Sequence, residues 1–151
     1  MAGKFKIWSL AVLKNTLKIK RKKRGISMKR LSESELEIML AIWRGNGPVN
    51  STYVREAMSE KGWAKTTVLN FLARLVDKGF LKCESQGKSN IYTPLVREED
   101  YMKLKNKNFL KKFYDNSIKN MVVALYQDQI ISDKDLEELK EFIEEKSKGE
   151  V

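Results

Sequence analysis

Histidine is absent from this chain of 151 residues, cysteine occurs once, at Cys83, and proline only at Pro48 and Pro94. Without an imidazole there is no Ser-His-Asp triad and no histidine acid–base chemistry. With one thiol there is no internal disulfide and no Cys/His cluster for zinc or copper, and a reducing compartment such as the cytoplasm is the natural setting. The acids and lysines fall in helical charge patterns without pairing around a pocket, so the chain reads as neither an enzyme nor a cofactor or metal binder, and no small-molecule ligand is expected. The apolar run at residues 7–13 falls well short of the ~20 residues a membrane-spanning helix needs.

Charge of one sign is scarce where it would be most telling. The formal net charge is +10, from 30 Lys and Arg against 20 Asp and Glu, but nine of the cations and none of the acids lie in residues 1–27. Residues 28–98 hold eleven cations and eight acids, and residues 99–151 hold ten and twelve. Overall basicity therefore says little about function, and only a modest excess in residues 28–98 favours a surface that faces phosphate. The leader MAGKFKIWSLAVLKNTLKIKRKKRGIS stands apart in composition. It reads either as a basic arm for DNA or an anionic membrane, or as upstream nucleotide sequence translated in frame, with the native protein starting at Met28.

From Met28 the pattern is regular. Ser32 followed by Glu35 is a capping box, and Leu36, Met39, Leu40 and Trp43 recur at helical spacing, which predicts a helix ending near Arg44-Gly45. Asn50 caps a second helix with Tyr53, Val54, Ala57 and Met58, which stops at Lys61-Gly62. Trp63 and Ala64 lead into a third, with Val68, Phe71, Leu72 and Leu75 inward and Gly79 at its end. The period then changes: residues 81–84 and 90–94 read as two short strands around a glycine turn at Gly87. Three helices and a hairpin predict a winged helix, so the fold class is mainly α with a small β-hairpin wing.

Beyond Arg97 the chain reads helical again, through Tyr101, Leu104, Phe109 and Phe113, then Ile118, Met121, Val122 and Leu125. Ser132 with Asp135 forms a second capping box ahead of Leu136, Leu139, Phe142 and Ile143. These helices carry too little apolar surface for a separate core, which predicts dimerisation through Val122, Leu125, Leu136, Leu139, Phe142 and Ile143. The expected organisation is a leader over residues 1–27, a winged-helix DNA-binding domain over 28–98 and a helical dimerisation domain over 99–151.

With the apolar face of the third helix turned to the core, Thr66, Asn70 and Ala73 point outward, flanked by Lys65, Thr67, Leu69 and Arg74. Small side chains allow close approach, an amide pairs with a base edge, a cation holds phosphate, and an exposed Leu69 suits a thymine methyl. A solvated helix face explains Thr, Asn and Arg equally well, and helix-turn-helix geometry also serves protein contact. In the hairpin, Gln86, Lys88 and Asn90 are placed to reach sugar and phosphate, or form a plain polar turn. Cys83 reads as a small strand residue, since only Lys82 beside it would favour a thiolate.

The stretches LSESELEIMLAIW, GWAKTTVLNFLARLVDKGFL, GKSNIYTPLV, NKNFLKKFYDNS and ISDKDLEELKEFIEE give the chain from Met28 to about Lys146 a further meaning. Over this span it resembles the penicillinase-repressor family, the BlaI, MecI and CopY group. The resemblance implies a winged helix on double-stranded, palindromic operator DNA, a C-terminal helical dimerisation domain that makes a homodimer, and relief of repression by proteolysis. In β-lactam-responsive members a membrane sensor-protease detects the antibiotic and the repressor is cut between an Asn and a Phe, a position matched here by Asn108 and Phe109. The polar residues Asn106, Lys107 and Asn108 have weak helix propensity, so local opening is expected there. Copper-responsive members carry a cysteine-rich C-terminal motif, which residues 99–151 lack. The leader has no counterpart in the family, in keeping with a start at Met28. Rival readings are a repressor of the same family answering another signal, a winged-helix protein-interaction module, and a membrane-associated protein using the leader.

Overall fold

A computed structural model of the chain describes residues 28–149. The basic leader, and with it the expected start at Met28, lies outside the described residues. Helix α1 runs Glu33–Arg44, strand β1 Val49–Asn50, α2 Ser51–Ala57, a 3-10 turn Ser59–Lys61, α3 Lys65–Asp77, β2 Leu81–Gln86, β3 Ser89–Pro94, α4 Glu98–Tyr114, α5 Ile118–Gln127 and α6 Asp133–Lys148. The chain divides into two compact units, the first ending at Tyr101 and the second beginning at Met102.

In the first unit α1 starts on the expected capping box. The Ser32 amide donates to Glu35 Oε2 at 2.8 Å, and the Glu35 amide donates to Ser32 Oγ at 3.2 Å. The phase of the helix differs from the expectation: Ile38, Met39, Ile42 and Trp43 are buried, whereas Leu36 and Leu40 are only partly so. Nearly every residue from Leu36 to Trp43 is apolar, so periodicity shows a helix without choosing its inner face. Asn50 caps α2 through its side chain, at 2.8 Å from the Tyr53 amide. That helix buries Val54, while Ala57, expected on its apolar face, is exposed.

Helix α3 ends in a Schellman motif. The Phe80 amide donates to the Leu75 carbonyl and the Gly79 amide to that of Val76, with Gly79 at φ +80°. Leu75 and Phe80, which bracket this turn, are both core residues, so the stop signal also delivers the chain into the sheet. β2 and β3 form an antiparallel hairpin from Leu81 opposite Pro94 to Gln86 opposite Ser89, closed by Gly87-Lys88. Gly87 has φ +63°, as a type II′ turn requires at its first central position. The sheet has a third strand that was not expected: β1 pairs with β3, Val49 opposite Tyr92. Two residues between a proline and a helix cap carry no period from which a strand could be read.

The core continues past the sheet. Trp43 donates its indole N–H to the Val96 carbonyl at 2.9 Å and stacks on Tyr101 at 5.8 Å between centroids, and Tyr101 meets Phe80 edge-on at the same separation. The first turn of α4 thereby belongs to the first unit.

The second unit is different in kind. Among its described residues, 102–149, none is buried, and all nine large apolar side chains found exposed among the described residues lie here. Ser132 and Asp135 form the expected capping box on α6. The Tyr126 hydroxyl donates to Asp133 Oδ1 at 2.7 Å, tying the end of α5 to the start of α6.

Candidate DNA-binding surface

Helix α3 buries Val68, Leu72 and Leu75, which turns Lys65, Thr66, Asn70, Ala73 and Arg74 to solvent. Thr67 is partly buried on one flank. Leu69 is corrected relative to the sequence expectation: it is half-buried and packs against the core rather than standing exposed. At about 100° per residue it lies on the same stripe as Val76, two turns further on, and both side chains pack against the core. Only the outer edge of Leu69 is left open to solvent.

Ala64 occupies the N-cap of α3 and has no side-chain acceptor, and the first turn carries no acid. The leading N–H groups therefore have no capping oxygen from this residue, and the positive end of the helix is not neutralised locally. Lys65 stands at this end and Arg74 in the last turn, both exposed. Among the described residues neither of these, nor Lys88, is paired with a carboxylate. Lys61 and Lys82, by contrast, are held by Glu37 at 2.9 Å and Glu84 at 2.6 Å.

The wing supplies the second part of the surface. Every residue from Lys82 to Asn90 is exposed, so the hairpin projects without a core beneath it and presents Gln86, Gly87 and Lys88 at its tip. Cys83 is exposed on β2 opposite Tyr92. The Ser85 hydroxyl donates to Asn90 Oδ1 at 3.2 Å, which turns part of the Asn90 amide inward to the hairpin itself. Among the described residues no group of His, Cys, Asp and Glu is assembled to hold a metal ion, and no helix is long and apolar enough to cross a membrane.

Sequence reasoning missed Trp63 and Phe71 as neighbours of this surface. Spacing places Trp63 ahead of the helix and Phe71 on its inner face, yet both are only partly buried and their rings lie 5.2 Å apart. The Arg74 guanidinium lies 5.7 Å from the centre of the Phe71 ring. The i, i+3 spacing of Phe71 and Arg74 was the available signal.

Asn108 and Phe109 lie well inside α4, and both are exposed. The weak propensity of the residues before them does not interrupt the helix. Phe109 stacks with Phe113 at 5.0 Å and with Tyr114 at 5.7 Å. Of the six residues expected at a dimer contact, Val122, Leu125 and Leu136 are partly covered within their own chain, while Leu139, Phe142 and Ile143 are exposed. Ile118, Val123, Tyr126 and Ile130 are exposed apolar side chains of the same unit that the expectation omitted.

A helical pair leading into an outward-facing helix, followed by a projecting hairpin, defines a winged helix-turn-helix protein. The penicillinase repressor family profile matches residues 31–145. The chain is 30% identical over 115 residues to the penicillinase repressor of Bacillus licheniformis, covering 76% of this chain and 90% of that one. It is 28% identical over 116 residues to the methicillin resistance regulatory protein MecI of Staphylococcus aureus strain N315, covering 77% and 94% respectively. A solution structure of the DNA-binding domain of the repressor BlaI is similar at 33% identity, covering 50% of this chain and 92% of that one, with a TM-score of 0.44. The chain belongs to the penicillinase repressor family, which consists of repressors and not of enzymes.

Proposed function

We propose that this chain is a cytoplasmic transcription repressor that binds a palindromic operator as a homodimer, controls a β-lactamase or β-lactam-resistance operon, and is inactivated by cleavage between Asn108 and Phe109. Membership of the family supports the repressor role. The observation that carries the mechanism is the contrast between the two units. One has its own buried core and an outward helix with unpaired cations, and the other has exposed apolar side chains and no buried residue among those described.

In this reading Lys65, Thr66, Asn70 and the edge of Leu69 meet base edges or the adjoining phosphates, while Arg74, Gln86 and Lys88 hold the backbone. Two such units in a symmetric dimer roughly double the specific free energy of one, and linking them makes the second binding event intramolecular. Cleavage after Asn108 parts the DNA-binding unit from α5, α6 and the end of α4, so each half-site is left with a weak monomer. The partners are double-stranded operator DNA, a second copy and a membrane sensor-protease that triggers the cut. No cofactor or small-molecule ligand enters.

Because the bond lies within regular helix, cleavage requires that end of α4 to unwind, and the exposed Phe109 side chain is the feature a protease would grip after opening. Replacing Asn108 by Asp and Phe109 by Ala together tests this. The variant should bind the promoter of its own gene and dimerise as before, yet fail to release it in cells exposed to a β-lactam. Normal induction without a fragment ending at Asn108 would overturn the cleavage reading.

A further inference from the structure

We infer that Phe71, braced by Trp63, is a positioning residue that sets the Arg74 guanidinium at the margin of the DNA-facing helix. The inference rests on the reading of α3 as the DNA-binding helix and adds to it a residue that touches no base. Phe71 lies between the buried stripe and the outward face, packed against the core yet only partly covered. Its ring meets Trp63 at 5.2 Å with the planes tilted by 47°, and Trp63 also packs against the core, so the ring is restrained on two sides. Arg74, one turn further on, brings its guanidinium carbon to 5.7 Å from the ring centre. This is within cation–π range, and an aliphatic side chain at position 71 would fill the space without supplying the quadrupole.

The consequence concerns preorganisation. An exposed arginine loses much of its rotamer freedom on binding a phosphate, and a guanidinium already seated on a fixed ring has lost part of it beforehand. Thr67 lies on the same flank two turns before Arg74, so the seated guanidinium and a hydroxyl follow one edge of the helix, beside the outward Thr66 and Asn70. Arg74 has no carboxylate partner among the described residues, which leaves the charge available.

The test is a double-mutant cycle on the full chain, with a fluorescent duplex carrying the promoter of its own gene and affinity measured across a salt series. Arg74→Ala should lower the salt slope by about one and weaken binding. Phe71→Leu should weaken binding about threefold in the otherwise unchanged chain, as expected of an exposed cation–π contact, and have no effect in the Arg74→Ala background. Phe71→Tyr, which keeps the ring, should restore wild-type affinity. Should the leucine variant fold poorly, Phe71→Met completes the same cycle. A loss of equal size in both backgrounds, or full affinity in Phe71→Leu, overturns the positioning role and leaves the DNA-binding reading intact. Failure of the unaltered chain to bind the promoter or any duplex at low salt overturns both.

Discussion

The Glu35 carboxylate accepts hydrogen bonds from both the Ser32 amide and the Lys78 ammonium, so one buried acid closes the start of α1 and clasps the end of α3. Glu35 is 2% exposed, and Lys78 also donates to the Arg30 carbonyl at 2.9 Å. Burial by itself would raise the Glu35 pKa; the Lys78 and Ser32 contacts outweigh it and hold the carboxyl below its ordinary value. The capping box is therefore also a tertiary contact between the ends of two helices.

Removing the cation should expose that dependence. Lys78→Ala leaves a buried carboxylate without its counter-charge and is expected to cost about 3 kcal/mol in urea unfolding at neutral pH. Because the folded pKa of Glu35 is depressed, its contribution is complete above the ordinary carboxylate pKa of about 4.3 and fades as pH falls through the lower folded value. The stability difference between wild type and Glu35→Gln should accordingly shrink on acidification below that range. A difference that stays constant from neutral pH down to strong acid would show that the charge of Glu35 contributes nothing.

A second prediction isolates backbone conformation from packing. A Cβ on Gly79 would meet nothing within 4 Å, yet its φ of +80° lies where L side chains are strained. Gly79→Ala should therefore cost about 1 to 2 kcal/mol through the left-handed conformation alone. Thermal or urea unfolding that matches wild type would mean that the turn has relaxed to another geometry.

Helix ends were the most legible part of this fold, because Ser32, Asn50, Gly79 and Ser132 each combine a local hydrogen bond or φ requirement with a change of apolar pattern. The inner face of α1 was not legible, since eight nearly all-apolar residues have no phase. Nor was β1, whose two residues gain strand geometry only by pairing with Tyr92 and Ile91 forty residues later. At the candidate site the outward positions Thr66, Asn70 and Ala73 follow from helical geometry, but the half-burial of Leu69 depends on core neighbours that spacing does not name. The Trp63–Phe71–Arg74 contact joins a residue ahead of the helix to its flank, and a helical wheel contains only the flank.

For the DNA contacts, Asn70→Ala should cost about 1 to 3 kcal/mol at the cognate operator and relax preference at one position per half-site. Lys88→Ala should instead weaken binding evenly across sequences and reduce the salt slope by about one. Leu69→Ala should lower folding stability as well as affinity, because the side chain packs on the core. Binding by all three variants equal to wild type, at matched salt and full folding, would remove α3 and the wing from the interface.

The last prediction separates packing within one chain from packing between two. Phe142 and Ile143 are 55% and 54% exposed, whereas Val122 and Leu125 are already partly covered by their own chain. In a symmetric dimer each substituted residue counts twice. Phe142→Asp removes a side chain about half of which is left for a partner to cover, about 0.8 to 1.5 kcal/mol per copy, and adds a charge to the contact. Two copies at the lower figure total about 1.6 kcal/mol, so the dimer dissociation constant should rise by at least about tenfold. Sedimentation equilibrium should show this shift, with helix content in the monomer little changed. Val122→Ala should show the reverse balance, lowering the stability of the monomer more than it weakens association. A Phe142→Asp chain that remains as dimeric as wild type would place the interface away from α6, and the apolar side chains of α5, Ile118, Val123 and Tyr126, would be the next to substitute.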